Sequence, residues 1–329
     1  MVWWFVSVRR FLQAKAHLHP LDTRDALFVD TRRKSHAAPD FRTIGAVDAE
    51  WVIGGRFRML DRIGAGGTSR VWRAYDHAER RYCAAKLVRQ RGTTSMLRVV
   101  RERALRLAHP HVLTPYASCT ADDDDVLLAM DLVRGGSLET LLGDYGRLPP
   151  AYTAEILDQV LAALSHIHRA GVVHRDVKPA NLLLEPSPVG APHIRLADFG
   201  IALGDDGVRL TTTGFTVGTP GYLAPEVLDW NRPGPRQDLY AAGMVGWRML
   251  TGAGDPEPRQ QVGPPPPGVP PSLWSVVAWL CAHDPAQRPD SADTARRALA
   301  ACGFELQFPV RTLDGELLQI FDQLGPPPR

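Results

Sequence analysis

Lysine is almost missing from this chain. Four Lys (Lys15, Lys34, Lys86 and Lys178) stand beside 34 Arg in 329 residues. Asparagine is scarcer still, with only Asn181 and Asn231. Arg has taken nearly every position where a solvated cation suffices. The two are not interchangeable where a compact ammonium must meet a phosphate, so Lys86, Lys178 and Asn181 draw attention before any motif is considered. Cysteine is also sparse: Cys83, Cys119, Cys281 and Cys302 lie far apart and form no Cys-x-x-Cys pair. That argues against a disulfide framework and a thiolate zinc site, and fits reduced thiols in a cytoplasmic setting. No apolar run reaches the roughly 18 residues that a spanning helix needs, so no transmembrane segment is expected. A net charge of +2 supplies no basic face for nucleic acid. With 44% hydrophobic and 22% charged residues, the chain can bury a core.

Residues 1–50 differ from the rest. Met1-Val2-Trp3-Trp4-Phe5-Val6 is apolar but short, and Arg9-Arg10 follow it; a secretory signal has the reverse order. We expect an N-terminal extension that is poorly ordered. From Arg56 the pattern is strand, glycine turn, strand, polar turn at 76–81 and strand to Val88. Residues 96–107 have helical content. A strand at 126–130 is entered by Asp122-Asp123-Asp124-Asp125, which reads as a solvated turn and not a metal site. The second half is mostly helical. Ile156, Leu157, Val160, Leu161, Leu164 and Ile167 form one apolar stripe. Further helices are expected at 238–250 and 273–281, and paired short strands at 182–184 and 194–196. Between 254 and 271, eight of eighteen residues are Pro, which removes the donors a helix needs. The closing Gly325-Pro326-Pro327-Pro328 is expected to fray. A small strand-rich lobe followed by a larger helical lobe is the coarse result.

The chemistry sits in short motifs. Gly64-x-Gly66-x-x-Ser69-x-Val71 puts glycines at a hairpin tip, where backbone amides approach anionic oxygens without a Cβ in the way. Lys86 lies 22 residues after Gly64, at the end of the next strand, where an ammonium reaches phosphates beneath the turn. His174-Arg175-Asp176-Val177-Lys178-Pro179-Ala180-Asn181 gathers an Asp that accepts a hydroxyl proton, a Lys for a transferring phosphate and an Asn oxygen for a metal. Asp198-Phe199-Gly200, 17 residues after Asn181, adds a second carboxylate. Asn and Asp oxygens suit Mg2+, a hard cation that keeps company with phosphate oxygens.

Together these residues resemble the eukaryotic-like (Hanks-type) serine/threonine protein kinases of bacteria, those of actinomycetes in particular, from about Arg56 to about Cys302. The resemblance implies an α+β, two-lobed protein kinase fold. The kinase domain would span 51–302, with a β-rich N-lobe to about 133 and a helical C-lobe from about 134, and a C-terminal tail over 303–329. It implies ATP and Mg2+ as cofactors. Cys83-Ala84-Ala85-Lys86 matches the strand whose Lys holds the α- and β-phosphates. Ile63, Gly64, Ala65, Gly66, Gly67, Ser69, Val71, Ala84 and Leu183 would surround the nucleotide with Lys86. Met130-Asp131-Leu132-Val133 matches the hinge: Met130 as gatekeeper, the Asp131 carbonyl and the Val133 amide reading adenine. Asp176 matches the catalytic Asp, Lys178 the residue that stabilises the transferring phosphate, and Asn181 and Asp198 the metal ligands. Ala224-Pro225-Glu226 matches a conserved turn whose Glu pairs with an Arg, here Arg288, and Asp238 matches the Asp that opens the central helix of the large lobe. Lys178 and Thr219 resemble the Ser/Thr-specific branch, and Thr219 is expected to contact Asp176 and Lys178. Arg175 goes with activation by loop phosphorylation, which makes Thr211, Thr213 and Thr216 the expected autophosphorylation sites.

The chain departs from the family pattern at three places. Ser69 stands where a third Gly is usual. Glu102 is taken as the partner of Lys86, although the family commonly has its Glu two residues upstream, where this chain has Val100. The Pro-rich stretch replaces a helix that usually docks protein substrates. The implied activity is transfer of the γ-phosphate of ATP to Ser or Thr of proteins, with autophosphorylation of the 201–223 loop. A pseudokinase, a nucleotide-binding interaction module without turnover, is the alternative. A small-molecule kinase of similar fold is a third reading, and the run from Gly218 to Glu226 argues against it. Expected partners are protein substrates and a second copy of the chain acting in trans, with no nucleic acid.

Overall fold

A computed structural model describes residues 51–65, 69–89, 107–121, 125–198, 219–228 and 234–328. The extension at 1–50, the helix expected at 96–107 apart from Leu107, Gly66, Gly67, and the loop threonines Thr211, Thr213 and Thr216 lie outside the described residues. The small lobe is one six-stranded sheet, antiparallel throughout. Its strands are β1 (Val52–Ile53), β2 (Phe57–Ala65), β3 (Ser69–Asp76), β4 (Arg81–Arg89), β5 (Ala117–Thr120) and β6 (Asp125–Met130), in spatial order β1-β2-β3-β4-β6-β5. The period-2 alternation of a strand sorts β4 cleanly. Cys83 and Ala85 join Phe57, Met59, Ala74, Leu127 and Ala129 in the lobe's own core. Ala84 and Lys86 take the opposite face.

The β3–β4 turn is held by charge. Asp76 is fully buried and accepts from the Arg56 guanidinium at 2.7 and 2.8 Å, from the Tyr116 hydroxyl at 3.0 Å and from the amides of Ala78 and Glu79. Burial alone would raise its pKa; the Arg56 bonds and the amides overcome this and hold it at about 2.

The large lobe is built on helices α1 (Leu138–Tyr145), α2 (Pro150–Arg169), α3 (Pro225–Leu228), α4 (Pro235–Thr251), α5 (Pro271–Leu280) and α6 (Ala292–Ala300), with a two-stranded ribbon of β7 (Leu182–Leu184) and β8 (Ile194–Leu196). The expected stripe holds: Ile156, Leu157, Val160, Leu161, Leu164 and Ile167 are all fully buried. Each such side chain contributes about 1.5–3 kcal/mol. α4 is buried on nearly every side, as befits a helix at the centre of a lobe. α1 and α6 were not expected. Both start at a Ser whose hydroxyl accepts the amide three residues on, Ser137 from Thr140 and Ser291 from Thr294, a local N-cap signal. Residues 254–270 form no helix, as their Pro content dictates.

Ahead of its closing prolines the tail is docked. Val310, Leu318 and Ile320 are 2%, 0% and 3% exposed and belong to the large-lobe core. Ser187 and Ile320 exchange backbone hydrogen bonds of 2.8 and 2.9 Å, so the tail is stitched to the β7–β8 connection. Among the described residues, no helix is long and apolar enough to cross a membrane.

Candidate active site

Three segments converge between the lobes. The first is the loop from His174 to Asn181, which enters β7. Its geometry is set by Asp238, in the first turn of α4 and 1% exposed. That carboxylate accepts from His174 N–H, Arg175 N–H and His168 Nε2, each at 2.8 Å. The anchor matters because Arg175 has φ 71, a left-handed conformation that costs an L-residue about 1–3 kcal/mol. His174, fully buried, contacts the Ala197 carbonyl through Nε2 at 3.0 Å. Burial pushes its pKa down, so the ring stays neutral.

Within the loop, Asp176, Lys178 and Asn181 meet. Lys178 Nζ lies 2.9 Å from Asp176 Oδ2, and Asn181 Nδ2 donates to the same oxygen at 2.8 Å and to the Asp176 carbonyl at 2.7 Å. Both donors fall on Oδ2, which leaves Oδ1 as the acceptor for an incoming proton. The amide nitrogen of Asn181 is spent on Asp176, which leaves its side-chain oxygen for a cation.

The second segment follows β8. Ala197 N–H donates to the Asn181 carbonyl at 2.8 Å, so Asp198 arrives beside the loop, itself at φ 56. The third is β4, where Lys86, 8% exposed, places Nζ 2.5 Å from Asp198 Oδ1. An ammonium this deep needs a partner, and the Asp198 carboxylate supplies it. Glu102, expected in that role, lies outside the described residues.

Apolar side chains gather around this convergence. Val71 stands opposite Lys86, and Ala84 opposite Met130. Met130 packs with Leu113 and Ala197, and Val133 and Leu183 pack against these three. Ile63, Gly64 and Ala65 end β2, with Gly64 opposite Val71, and Ser69 opens β3. The hinge is braced from both lobes. Asp131 accepts from Arg81 of β4 at 2.6 Å and from Arg195 of β8 at 3.0 Å. Burial opposes ionisation of Asp131, but these two guanidiniums hold its pKa below the usual carboxylate range.

Further out, Arg288 is fully buried, binds Glu226 in a fork at 2.7 Å through both terminal nitrogens, and lies over the Tyr240 ring. The pairing expected of these two residues is therefore formed. Thr219 gives its carbonyl to Tyr222 N–H at 3.0 Å. One network was not foreseen at all. Arg248 of α4 binds Glu139 at 2.6 Å through both terminal nitrogens, and its Nη1 also reaches Asp255 at 2.9 Å and the Tyr222 hydroxyl at 3.1 Å. It fastens the Pro-rich stretch to the segment beside Thr219.

Residues 57–298 match the protein kinase domain family. The chain belongs to the protein kinase family. Its kinase domain is similar to serine/threonine-protein kinase pkn3 of Myxococcus xanthus, 32% identical over 271 residues that cover 75% of this chain and 50% of that protein. It is also similar to serine/threonine-protein kinase PknA of Mycobacterium tuberculosis, 31% identical over 269 residues, 76% of this chain and 62% of PknA. The chain thus spans half to three fifths of the length of these two kinases. Among solved structures, the PknI kinase domain of Mycobacterium tuberculosis superposes with a TM-score of 0.59 at 25% identity, over 78% of this chain and 99% of that kinase-domain chain. The two-lobed kinase fold is shared.

The donor set fits what the kinase family uses. Among the described residues, no three His, Cys, Asp or Glu side chains form a metal cage. Asn181 and Asp198 instead offer oxygens beside a buried Lys, an arrangement suited to a Mg2+ that takes its remaining ligands from phosphate and water.

Proposed function

We propose that this chain is an ATP-dependent serine/threonine protein kinase that also phosphorylates its own activation loop. The observation that carries the proposal is the meeting of Lys86 with Asp198 and of Asp176 with Lys178 and Asn181 in one cleft. In this reading Lys86 holds the α- and β-phosphates, and Asn181 and Asp198 hold the metal. Bound Mg2+ would supply Lewis-acid neutralisation of the phosphate charge.

Asp176 does the proton work. Lys178 and Asn181 fix Oδ2, so Oδ1 faces a substrate Ser or Thr hydroxyl and takes its proton. The hydroxyl oxygen forms the new bond to the γ-phosphorus, the bond to the β–γ bridging oxygen breaks, and ADP leaves with that electron pair. Lys178 stabilises charge on the phosphoryl oxygens during transfer. Lys178 two residues after Asp176 supports Ser/Thr over Tyr. The apolar layers of Val71, Ala84, Met130, Val133 and Leu183 suit a flat adenine between them. Thr211, Thr213 and Thr216 are the proposed sites of phosphate that pairs with Arg175. Protein substrates, a second copy acting in trans and a cytoplasmic site of action belong to the same proposal.

The test uses the purified chain with γ-labelled ATP and Mg2+, beside Asp176→Asn. We expect label on residues 201–223 in the wild type alone, and turnover lowered by about 10²–10⁴ in the variant, the range for loss of a general base, with ATP affinity little changed. ATP binding without transfer would overturn the reading in favour of a pseudokinase.

A further inference from the structure

The end of the chain makes a second connection between the lobes, beside the hinge. Leu318 and Ile320 anchor it in the large-lobe core, and Gln319 exchanges hydrogen bonds with the Tyr145 hydroxyl at 3.1 and 3.2 Å. From that anchor it crosses the residue after the hinge. Gln323 N–H donates to the Arg134 carbonyl at 2.7 Å, and Arg134 reaches Asp322 at 2.5 Å. The next turn is shaped by Asp322, whose Oδ1 accepts the amides of Leu324 and Gly325 at 2.9 and 3.2 Å. The turn then meets the small lobe. Arg73, 4% exposed, donates to the carbonyls of Leu324 and Gly325 at 3.4 and 3.0 Å. It also holds Asp61 of β2 in a fork at 2.7 and 2.8 Å. The Gly325 carbonyl is shared, since Arg134 also donates to it at 3.1 Å.

The position of Arg73 gives this contact its meaning. It stands opposite Ala84, which stands opposite Met130. It therefore lies on the cleft-side face of the sheet, in the row that covers the adenine layer. The approach is built into the backbone as well. A Cβ at Gly135, beside the hinge, would meet the Leu184 carbonyl oxygen and the Ile320 side chain, so glycine there is what lets the tail lie down.

We propose that residues 319–325 are a positioning strap for the phosphoryl-transfer reaction: they hold the two lobes at the separation that binds ATP, through Arg73 on one side and Arg134 on the other. The inference rests on the kinase reading for its consequence, though not for its geometry. A hinge restrained on one side only samples open arrangements, and apparent affinity falls by the fraction of molecules that leave the competent one. The strap adds the second restraint.

Truncation after Phe321 tests this while keeping Leu318 and Ile320 in the core. Hydrogen exchange is measured across residues 131–134 and, as a reference, across α4. Binding of ATP with Mg2+ is measured by calorimetry. We expect faster exchange at the hinge, unchanged exchange in α4, and ATP binding weakened by about three- to tenfold. Asp322→Ala should move both readouts the same way. Asp322→Asn, which keeps an acceptor for the Leu324 and Gly325 amides but gives up the charged contact with Arg134, should move both readouts less than Asp322→Ala does. Hinge exchange equal to the full chain would overturn the proposal. So would loss of protection in α4 together with the hinge, because that marks a merely structural tail. Should the full chain bind no ATP, the kinase reading fails, and hinge exchange still decides whether the strap exists.

Discussion

Asp238→Asn probes the frame of the loop from His174 to Asn181, the proposed catalytic loop. The native carboxylate is 1% exposed and serves three donors: Oδ2 takes His168 Nε2 and His174 N–H, and Oδ1 takes Arg175 N–H. An amide has one acceptor oxygen. If its NH2 replaces Oδ1, the Arg175 amide is orphaned; if it replaces Oδ2, both His contacts are lost. A buried donor without a partner costs about 1–3 kcal/mol, so the milder flip sets the expected loss. Asp238→Ala strands all three donors and should cost about 3–5 kcal/mol, the range for breaking a buried charged contact. Against a typical stability of about 5–15 kcal/mol, the Asn variant folds and the Ala variant is marginal. The catalytic consequence is larger than the stability consequence. Arg175 is kept at φ 71 through its bond to Asp238, and Asp176 is the next residue. A displacement of about 1 Å at a reacting group costs on the order of 10²-fold. Urea unfolding and steady-state phosphorylation of a generic protein substrate read the two effects separately. We expect turnover of Asp238→Asn to fall by about 10²-fold with ATP binding retained, since Lys86, Met130 and Val133 lie on other elements. A variant that matched wild type in both urea midpoint and turnover would refute the argument.

Gly221→Ala places a Cβ on the Pro256 carbonyl oxygen, backbone that cannot swing aside; it should lose about 1–3 kcal/mol and phosphorylate protein substrates poorly, whereas Gly143→Ala, with nothing within 4 Å, should leave both melting and activity unharmed. A third prediction concerns acid. His109 stacks on His166 at 5.0 Å and tilts against His111 at 5.6 Å. Burial first, then the charges of His166 and His111, push its pKa from 6.5 down to about 4. As pH falls below 6.5 the unfolded chain takes the proton before the folded chain does. Stability should therefore decline between about pH 6.5 and 4 and level off below, with no contribution above 6.5. His109→Gln should flatten that slope in urea midpoints measured from pH 4 to 7. The depressed Asp76 acts lower: its contribution is present above the ordinary Asp pKa and is lost as pH falls toward about 2. An unchanged slope in the variant would show that His109 is not the titrating group.

Much of the site is legible in the linear chain because its chemistry is packed into short segments. Asp176, Lys178 and Asn181 fall within six residues, and a loop that short can bring its own side chains together. Scarcity helped, since a chain that uses Arg wherever it can retains Lys at 86 and 178. The apolar stripe of α2 and the alternation of β4 were readable because helix and strand impose fixed periods on whatever they bury. The caps at Ser137 and Ser291 carry a local signal too, a hydroxyl three residues ahead of its amide partner.

The remainder belongs to the tertiary structure. Arg73 and the Gly325 carbonyl are 252 residues apart, Arg248 and Glu139 are 109 apart, and His168 and Asp238 are 70 apart. No periodicity or spacing connects such pairs. An Arg on a strand of an Arg-rich chain looks like any solvated cation until the fold buries it, and burial is what forces a guanidinium to find partners. The tail shows the same limit from the other side. Local composition registers conformational preference at its Pro-rich end, and not the docking of Leu318 and Ile320 into a core laid down by distant helices. The residues proposed to carry the chemistry could be named from short spacings in the sequence; the contacts between the tail and the two lobes were decided only when the chain closed on itself.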